Sequence, residues 1–195
     1  MNLKLIFRNL GIILMFMTTL SCEKLEEIIP QKENASIKNY TIKKGGHHST
    51  HSIAKLETNQ LKFKARFDSS AIYTTADKEN QADINKLYGF SDCSSSHHTN
   101  SARFGWRWTG EDLEIHAYTY VNGERNSKYI TSVAFDKAFD YSLTAHPDQY
   151  QFTVKDVTIF MERSCAGPAS GYVLYPYFGG DETAPHDINI LIEIL

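Results

Sequence analysis

The feature that most restricts this chain is a side-chain alternation of period two, repeated in short runs from residue 37 to the C-terminus. Leu61, Phe63, Ala65 and Phe67 share one side of an extended segment, and Tyr150, Phe152 and Val154 one side of another. Ile188, Ile190, Ile192 and Ile194 do the same near the end. Strands are expected over residues 37–43, 60–67, 70–75, 84–90, 101–108, 112–121, 128–135, 139–145, 149–155, 157–162, 171–178 and 187–195. Only residues 77–83 suggest a helical turn. About a dozen short strands with turn signals between them predict an all-β fold, an antiparallel β-sandwich or jelly roll. Leu191 and Leu195 oppose the isoleucines, so the last strand is expected to be central and buried on both faces. Residues 37–195 suit a single domain with its own core.

Within that frame, residues 101–121 carry the chemistry. Ala102, Phe104, Trp106 and Trp108 fall on one strand face, with Arg103, Gly105 and Arg107 opposite. After a hairpin loop at Thr109-Gly110-Glu111, Leu113, Ile115, Ala117, Thr119 and Val121 share a face, leaving Glu114, His116, Tyr118 and Tyr120 on the other. The second face holds cations, an imidazole and phenols in one place. It is a candidate binding surface centred on Arg103, Arg107, Glu114, His116, Tyr118 and Tyr120. The same groups could cleave a uronate polymer by β-elimination. Arg103 or Arg107 would neutralise the carboxylate, His116 would take the C5 proton, and Tyr118 or Tyr120 would protonate the leaving oxygen. The plainer alternative is an exposed sheet face whose Arg–Glu and Tyr–Arg neighbours simply pair across strands.

Residues 84–90, 101–107 and 113–120 together resemble a run in jelly-roll polysaccharide lyases of the concanavalin-like superfamily. Lys86, Arg103, Trp106, Arg107 and Tyr118 fall on that pattern, which covers residues 84–120. The resemblance implies the sandwich fold and an acidic polysaccharide as substrate class, with His116, Tyr118 and Arg107 as the catalytic group if the protein is a lyase. It departs from the family in the loop of residues 91–100 and at Phe90.

The N-terminus bears on location. A basic start, an apolar run from Leu10 to Leu20 and then Ser21-Cys22 read as a secretory signal over residues 1–21. Thr19-Leu20-Ser21-Cys22 resembles a bacterial lipobox, which makes Cys22 the lipidated residue. Glu23-Lys24-Leu25-Glu26-Glu27 resembles the export signal of surface lipoproteins in Bacteroidota-type bacteria. Residues 22–36 then form a lipidated tether, and the expected place is the bacterial outer membrane, with the export-signal resemblance pointing to its outer surface. Cleavage removes Lys4 and Arg8 and no acid, so the net charge of −3 becomes about −5. That balance leaves no basic field for nucleic acid.

With Cys22 spent on lipid, Cys93 and Cys165 remain as an expected disulfide, stabilising by roughly 4 kcal/mol in the chain-entropy model. His47, His48 and His51, with His97 and His98, could offer imidazoles to a transition metal, but no acid or thiol stands beside them, and no metal site is expected. Asp181, Glu182 and Asp187 sit on one loop and could hold Ca²⁺, although their spacing matches no defined calcium loop and a structural corner is the simpler reading. Tyr175 and Tyr177 share a direction and extend the aromatic surface, unless they close the core. No phosphate loop, nucleotide fingerprint or serine elbow is present. Taken together, the sequence predicts a lipid-anchored envelope sandwich that binds carbohydrate or another envelope partner through Lys86 and the Arg/His/Tyr face. The alternatives are a uronate lyase and a purely structural lipoprotein, and no cofactor is required.

Overall fold

A computed structural model describes residues 36–49 and 53–195. The expected signal, Cys22, nearly all of the tether, and His51 lie outside the described residues. Twelve strands follow in order: β1 (Ser36–Ile42), β2 (Lys55–Thr58), β3 (Gln60–Phe67), β4 (Asn85–Ser91), β5 (Ser101–Trp108), β6 (Leu113–Val121), β7 (Glu124–Val133), β8 (Phe139–Ala145), β9 (Gln149–Val154), β10 (Val157–Glu162), β11 (Ala169–Leu174) and β12 (Ile188–Ile194). They form two six-stranded antiparallel sheets, ordered β1-β12-β3-β8-β9-β10 and β2-β11-β4-β5-β6-β7.

The alternating residues meet between the sheets. Phe63 of the first sheet stacks on Tyr141 at 5.0 Å and meets Phe104 of the second edge-on at 5.7 Å. Phe104 also meets Phe152 at 5.2 Å, and Phe67 packs on Trp106 at 5.3 Å. Each such pair adds roughly 0.5–1.5 kcal/mol beyond the area it buries. These contacts fix which face of β5 points inward, and therefore that Arg103 points outward.

The structure corrects several expected elements. Residues 70–75 are not a strand: Asp68 caps a short 3-10 turn over Ser69–Ala71, accepting from the Ser70 backbone N–H at 2.8 Å. The edge strand β2 was not expected, because Lys-Leu-Glu-Thr is too short to show a pattern. β7 starts at Glu124 rather than at residue 128, because Asn122 and Gly123 (φ +51° and +88°) form a two-residue turn that returns the chain directly into pairing. β11 stops at Leu174, two residues before Pro176, which has no N–H for a ladder. β12 is second from the sheet edge, between β1 and β3, and buries Ile188, Ile190 and Ile192. Leu191 is half-buried and Leu195 exposed, so burial of the last strand on both faces does not hold: no third layer covers that side among the described residues.

Cys93 and Cys165 form the expected disulfide, 72 residues apart. Beside it lies an ion pair that the sequence did not reveal. Arg163 Nε donates to Asp92 Oδ2 at 2.7 Å, with both side chains fully buried. Asp92 also accepts from the Tyr150 hydroxyl and from the backbone N–H groups of Cys93 and Ser170. Arg163 donates further to the His146 and Gly167 carbonyls. A buried pair holds only when its remaining donors and acceptors are met in this way. It ties both sheets to the loop of residues 92–100.

Candidate functional site

The outward face of the second sheet is built by register. Arg103 lies opposite Tyr118, and Ser101 opposite Tyr120, across β5 and β6. In β4 a bulge between Lys86 and Gly89 turns both Leu87 and Tyr88 into the core while Lys86 faces out. Gly89 is required there, since a Cβ would stand 2.2 Å from the Ala102 carbonyl oxygen. Beyond β11, Tyr177 exchanges both backbone hydrogen bonds with Lys86, at 2.8 and 3.0 Å, which brings its ring beside the lysine. The result is a cleft of about 700 Å³. Lys86, Arg103, Tyr118, Tyr120 and Arg125 line it from the sheet, His97 and His98 from one loop, and Tyr172, Tyr175 and Tyr177 from β11 and its continuation.

The charges on its lining are positive, and the Asp83 carboxylate, which acts on Lys86, lies outside that lining. Arg103 is 7% exposed, its Nε has no hydrogen-bond partner, and its guanidinium carbon lies 5.4 Å from the centroid of the Tyr118 ring. Lys86 Nζ lies 4.9 Å from the same centroid and 5.9 Å from that of Tyr177. Among the described residues, no Asp or Glu lines the cleft. Burial, and then the Arg103 charge, pull the Lys86 ammonium down to about 8. Burial lowers Arg103 as well. The Tyr118 phenol is pushed up to about 12, chiefly by burial. A buried cation without a counterion is costly, and the lining is electrostatically suited to an anion.

The expected binding face is divided in two. Lys86, Arg103, Tyr118, Tyr120, Tyr175 and Tyr177 come together in the cleft, whereas Arg107, Glu114 and His116 do not line it. Those three satisfy one another: Arg107 Nε donates to Glu114 Oε2 at 2.6 Å, and His116 Nε2 lies 3.0 Å from the same oxygen. Burial works to raise the Glu114 carboxyl, but these hydrogen bonds outweigh it and hold it below its ordinary range. Burial lowers the His116 pKa despite its glutamate partner. Between the two groups, Ile84 Cγ2 occupies the space over Gly105, where a Cβ would come within 2.4 Å of it and 3.7 Å of His116 Cβ. The imidazole chosen from sequence as a base is thus 5% exposed and already engaged.

Other side chains take its place. The His97 ring Nδ1 lies 2.8 Å from the Tyr172 hydroxyl, which also accepts from the His97 backbone N–H at 3.1 Å. Burial first, then the charges of Arg103 and His98, pull the His97 imidazole down to about 4, so it is neutral near pH 7. His98 meets Tyr120 edge-on at 5.4 Å. Arg125, Tyr172 and the cleft position of these histidines were not found by sequence reading. The His97-His98 doublet was the one available signal.

The remaining candidates resolve into structural partners. Tyr175 packs on Tyr40 and Tyr88, each at 5.7 Å, so it closes the core edge and lines the cleft at once. Tyr177 stacks on His47 at 5.2 Å, and His47 Nδ1 lies 2.9 Å from the Phe178 carbonyl oxygen. Glu182 accepts from the Ala76 and Asp77 backbone N–H groups and from Asn80, and Asp187 pairs with Lys43 at 2.7 Å. Among the described residues, the one group of ligand atoms close enough to share an ion is Asp92, Cys93 and Cys165, whose sulfurs are bonded to each other. Among the described residues, which leave out His51, the histidines and the Asp181 loop form no such group.

No family model matches this sequence, and no curated protein matches it. Solved structures do. A non-specific endo-β-1,3(4)-glucanase of family GH16 superposes with a TM-score of 0.52 at 10% identity, over 81% of this chain and 70% of its own. The alginate lyase AlyC3 superposes with a TM-score of 0.51 at 10% identity, over 84% and 74%. The chain shares their jelly-roll sandwich. At such identities the likeness concerns fold, and chemistry has to be argued from the cleft. Glycoside hydrolysis commonly needs two carboxyl groups flanking the scissile bond, and the lining of this cleft supplies none among the described residues.

Proposed function

We propose that the protein binds an acidic polysaccharide in this cleft, with a uronate carboxylate seated on Arg103 and Lys86 and sugar rings laid against the tyrosines. The observation that carries the reading is the buried Arg103, its Nε without a hydrogen-bond partner, facing a cleft whose lining holds no carboxylate among the described residues. A carboxylate there would meet charge-assisted hydrogen bonds in a desolvated setting, where they are strong. Phenol and indole faces commonly stack on sugar rings because they are apolar on their faces and polar at their rims. Affinity electrophoresis tests it: migration should be retarded in gels cast with a polyuronate and unaffected by a neutral glucan. Equal retardation in both, or in neither, contradicts the proposal.

A second reading, β-elimination of the bound uronate, is favoured by one observation: a neutral imidazole stands in the same cleft as the cation. His97, with its Nδ1 proton given to the Tyr172 oxygen, would offer Nε2 as the base. Arg103 would neutralise the carboxylate, and a cleft phenol such as Tyr118 or Tyr120 would protonate the leaving oxygen. Ultraviolet absorbance of the unsaturated product distinguishes the two readings. A rise that disappears in His97→Ala supports the lyase, and a flat trace from protein that is retarded in the gel leaves a binder.

The sequence supports lipidation at Cys22, a tether to about residue 36 and a place on the bacterial outer membrane. Mass spectrometry of the mature N-terminus tests this, with acylated Cys22 expected and a retained residue 1–21 segment contradicting it.

A further inference from the structure

We propose that the Cys93–Cys165 disulfide is a redox-sensitive latch on the cleft, whose reduction by a dithiol frees the loop of residues 93–100 and weakens ligand binding while both sheets stay folded. The inference rests on the cleft reading above.

The loop is held in a conformation it would not choose. Cys93 and Ser94 have φ of +53° and +51°, two consecutive non-glycine residues in the left-handed region. Such residues persist only where the surroundings over-determine them. The disulfide is the covalent link that does so here, beside hydrogen bonds from the Cys93 N–H to Asp92 Oδ1 at 2.7 Å, from the Ser94 N–H to the Ser170 carbonyl at 2.8 Å and from the Ser95 N–H to the Asp92 carbonyl at 3.0 Å. This turn aims the following residues at the cleft, so that His97 reaches Tyr172 and His98 reaches Tyr120. Both cysteines are half-buried, within reach of an attacking thiolate.

The effect of reduction is confined by what remains. Asp92 keeps Arg163, Tyr150 and Ser170 after the sulfur bond is broken, and the core between the sheets includes no residue of the loop. The exchange itself is balanced. One thiolate of the dithiol attacks a sulfur, the mixed disulfide is resolved by its second thiol, and two electrons and two protons pass to Cys93 and Cys165. The left-handed turn then loses its covalent link, and the His97–His98 wall is held by its hydrogen bonds alone.

Titration calorimetry with a polyuronate, on oxidised protein, on protein reduced with dithiothreitol, and on a Cys93→Ser/Cys165→Ser variant, tests the latch alongside amide hydrogen exchange on the same samples. Affinity should fall about tenfold, a coupling of ordinary size between two sites, and the Ser94 and His97 amides should exchange faster while those of β5 and β6 stay protected. Unchanged affinity on reduction, or unchanged exchange in the loop, overturns the latch. Oxidised protein that fails to bind at all overturns the cleft reading instead, and the exchange data still show whether the loop was released.

Discussion

Arg103 and Tyr118 stand directly opposite each other on neighbouring strands, and the guanidinium lies against the phenol ring, 5.4 Å from its centroid, with no carboxylate paired to it among the described residues. The ring offers the cation a weak quadrupolar contact, on the order of 0.5–2 kcal/mol. That does not offset the loss of water around a buried charge. Arg103 therefore costs the fold stability, and the proposed ligand would offset that cost.

Arg103→Met should stabilise the protein and abolish binding. Replacing even a buried ion pair by apolar side chains of similar volume is often neutral or stabilising by roughly 1–4 kcal/mol, and Arg103 has no ion-pair partner to lose among the described residues. Thermal unfolding should show a higher midpoint, and the gel retardation should vanish. A lower midpoint would mean that Arg103 has a structural partner.

Binding should weaken as pH rises through about 8, where Lys86 loses its proton. The stability effect has the opposite sense. Because the folded-state value lies below the ordinary 10.5, the unfolded chain holds more protons between about 8 and 10.5, so Lys86 makes stability rise with pH in that window. His97, lowered from 6.5 to about 4, makes stability fall as pH drops from 6.5 towards 4. Denaturant midpoints across pH, for wild type and for Lys86→Met and His97→Phe, check both signs.

Asp92→Ala should be among the most damaging single changes. It strands Arg163 as a fully buried cation and removes the acceptor of Tyr150, Cys93 and Ser170. Breaking a buried pair from one side typically costs about 3–5 kcal/mol. Urea unfolding measures it. A double Asp92→Leu/Arg163→Met variant should recover much of the loss.

Gly179→Ala should disturb the site while sparing the core. A Cβ there would stand 2.3 Å from Lys86 Nζ and 2.5 Å from the Ile84 carbonyl oxygen. The lysine tip can swing away but the backbone oxygen cannot do so freely. A stability loss of roughly 1–3 kcal/mol is expected, as for overpacking, with weaker polyuronate binding. Unchanged binding would show that Lys86 makes no contact with the ligand.

How much of this was legible depends on what each feature needs. β3, β5, β8 and β10 coincide with the runs expected at 60–67, 101–108, 139–145 and 157–162, because a sheet with one face on a core writes its period directly into sequence. The outward faces of β5 and β6 were legible for the same reason. The grouping on that face was not. Arg107 and Glu114 lie directly opposite each other and neutralise one another, and Ile84 fills the space over Gly105, which parity of position cannot show. Tyr172 enters the cleft because β11 pairs with β4, a neighbour distant in sequence. His97 enters because its loop is tied down by Cys93 and Asp92.

The central claim is that an anionic sugar sits on Arg103 and Lys86 of the cleft. Titration calorimetry of the domain with a polyuronate and with a neutral glucan, repeated at rising salt and with Arg103→Met, tests it most directly. The account predicts saturable binding of the polyuronate alone, weakened by salt as charges are screened, and lost in the variant. Binding of the neutral glucan with equal affinity, or polyuronate binding that survives Arg103→Met, would contradict it.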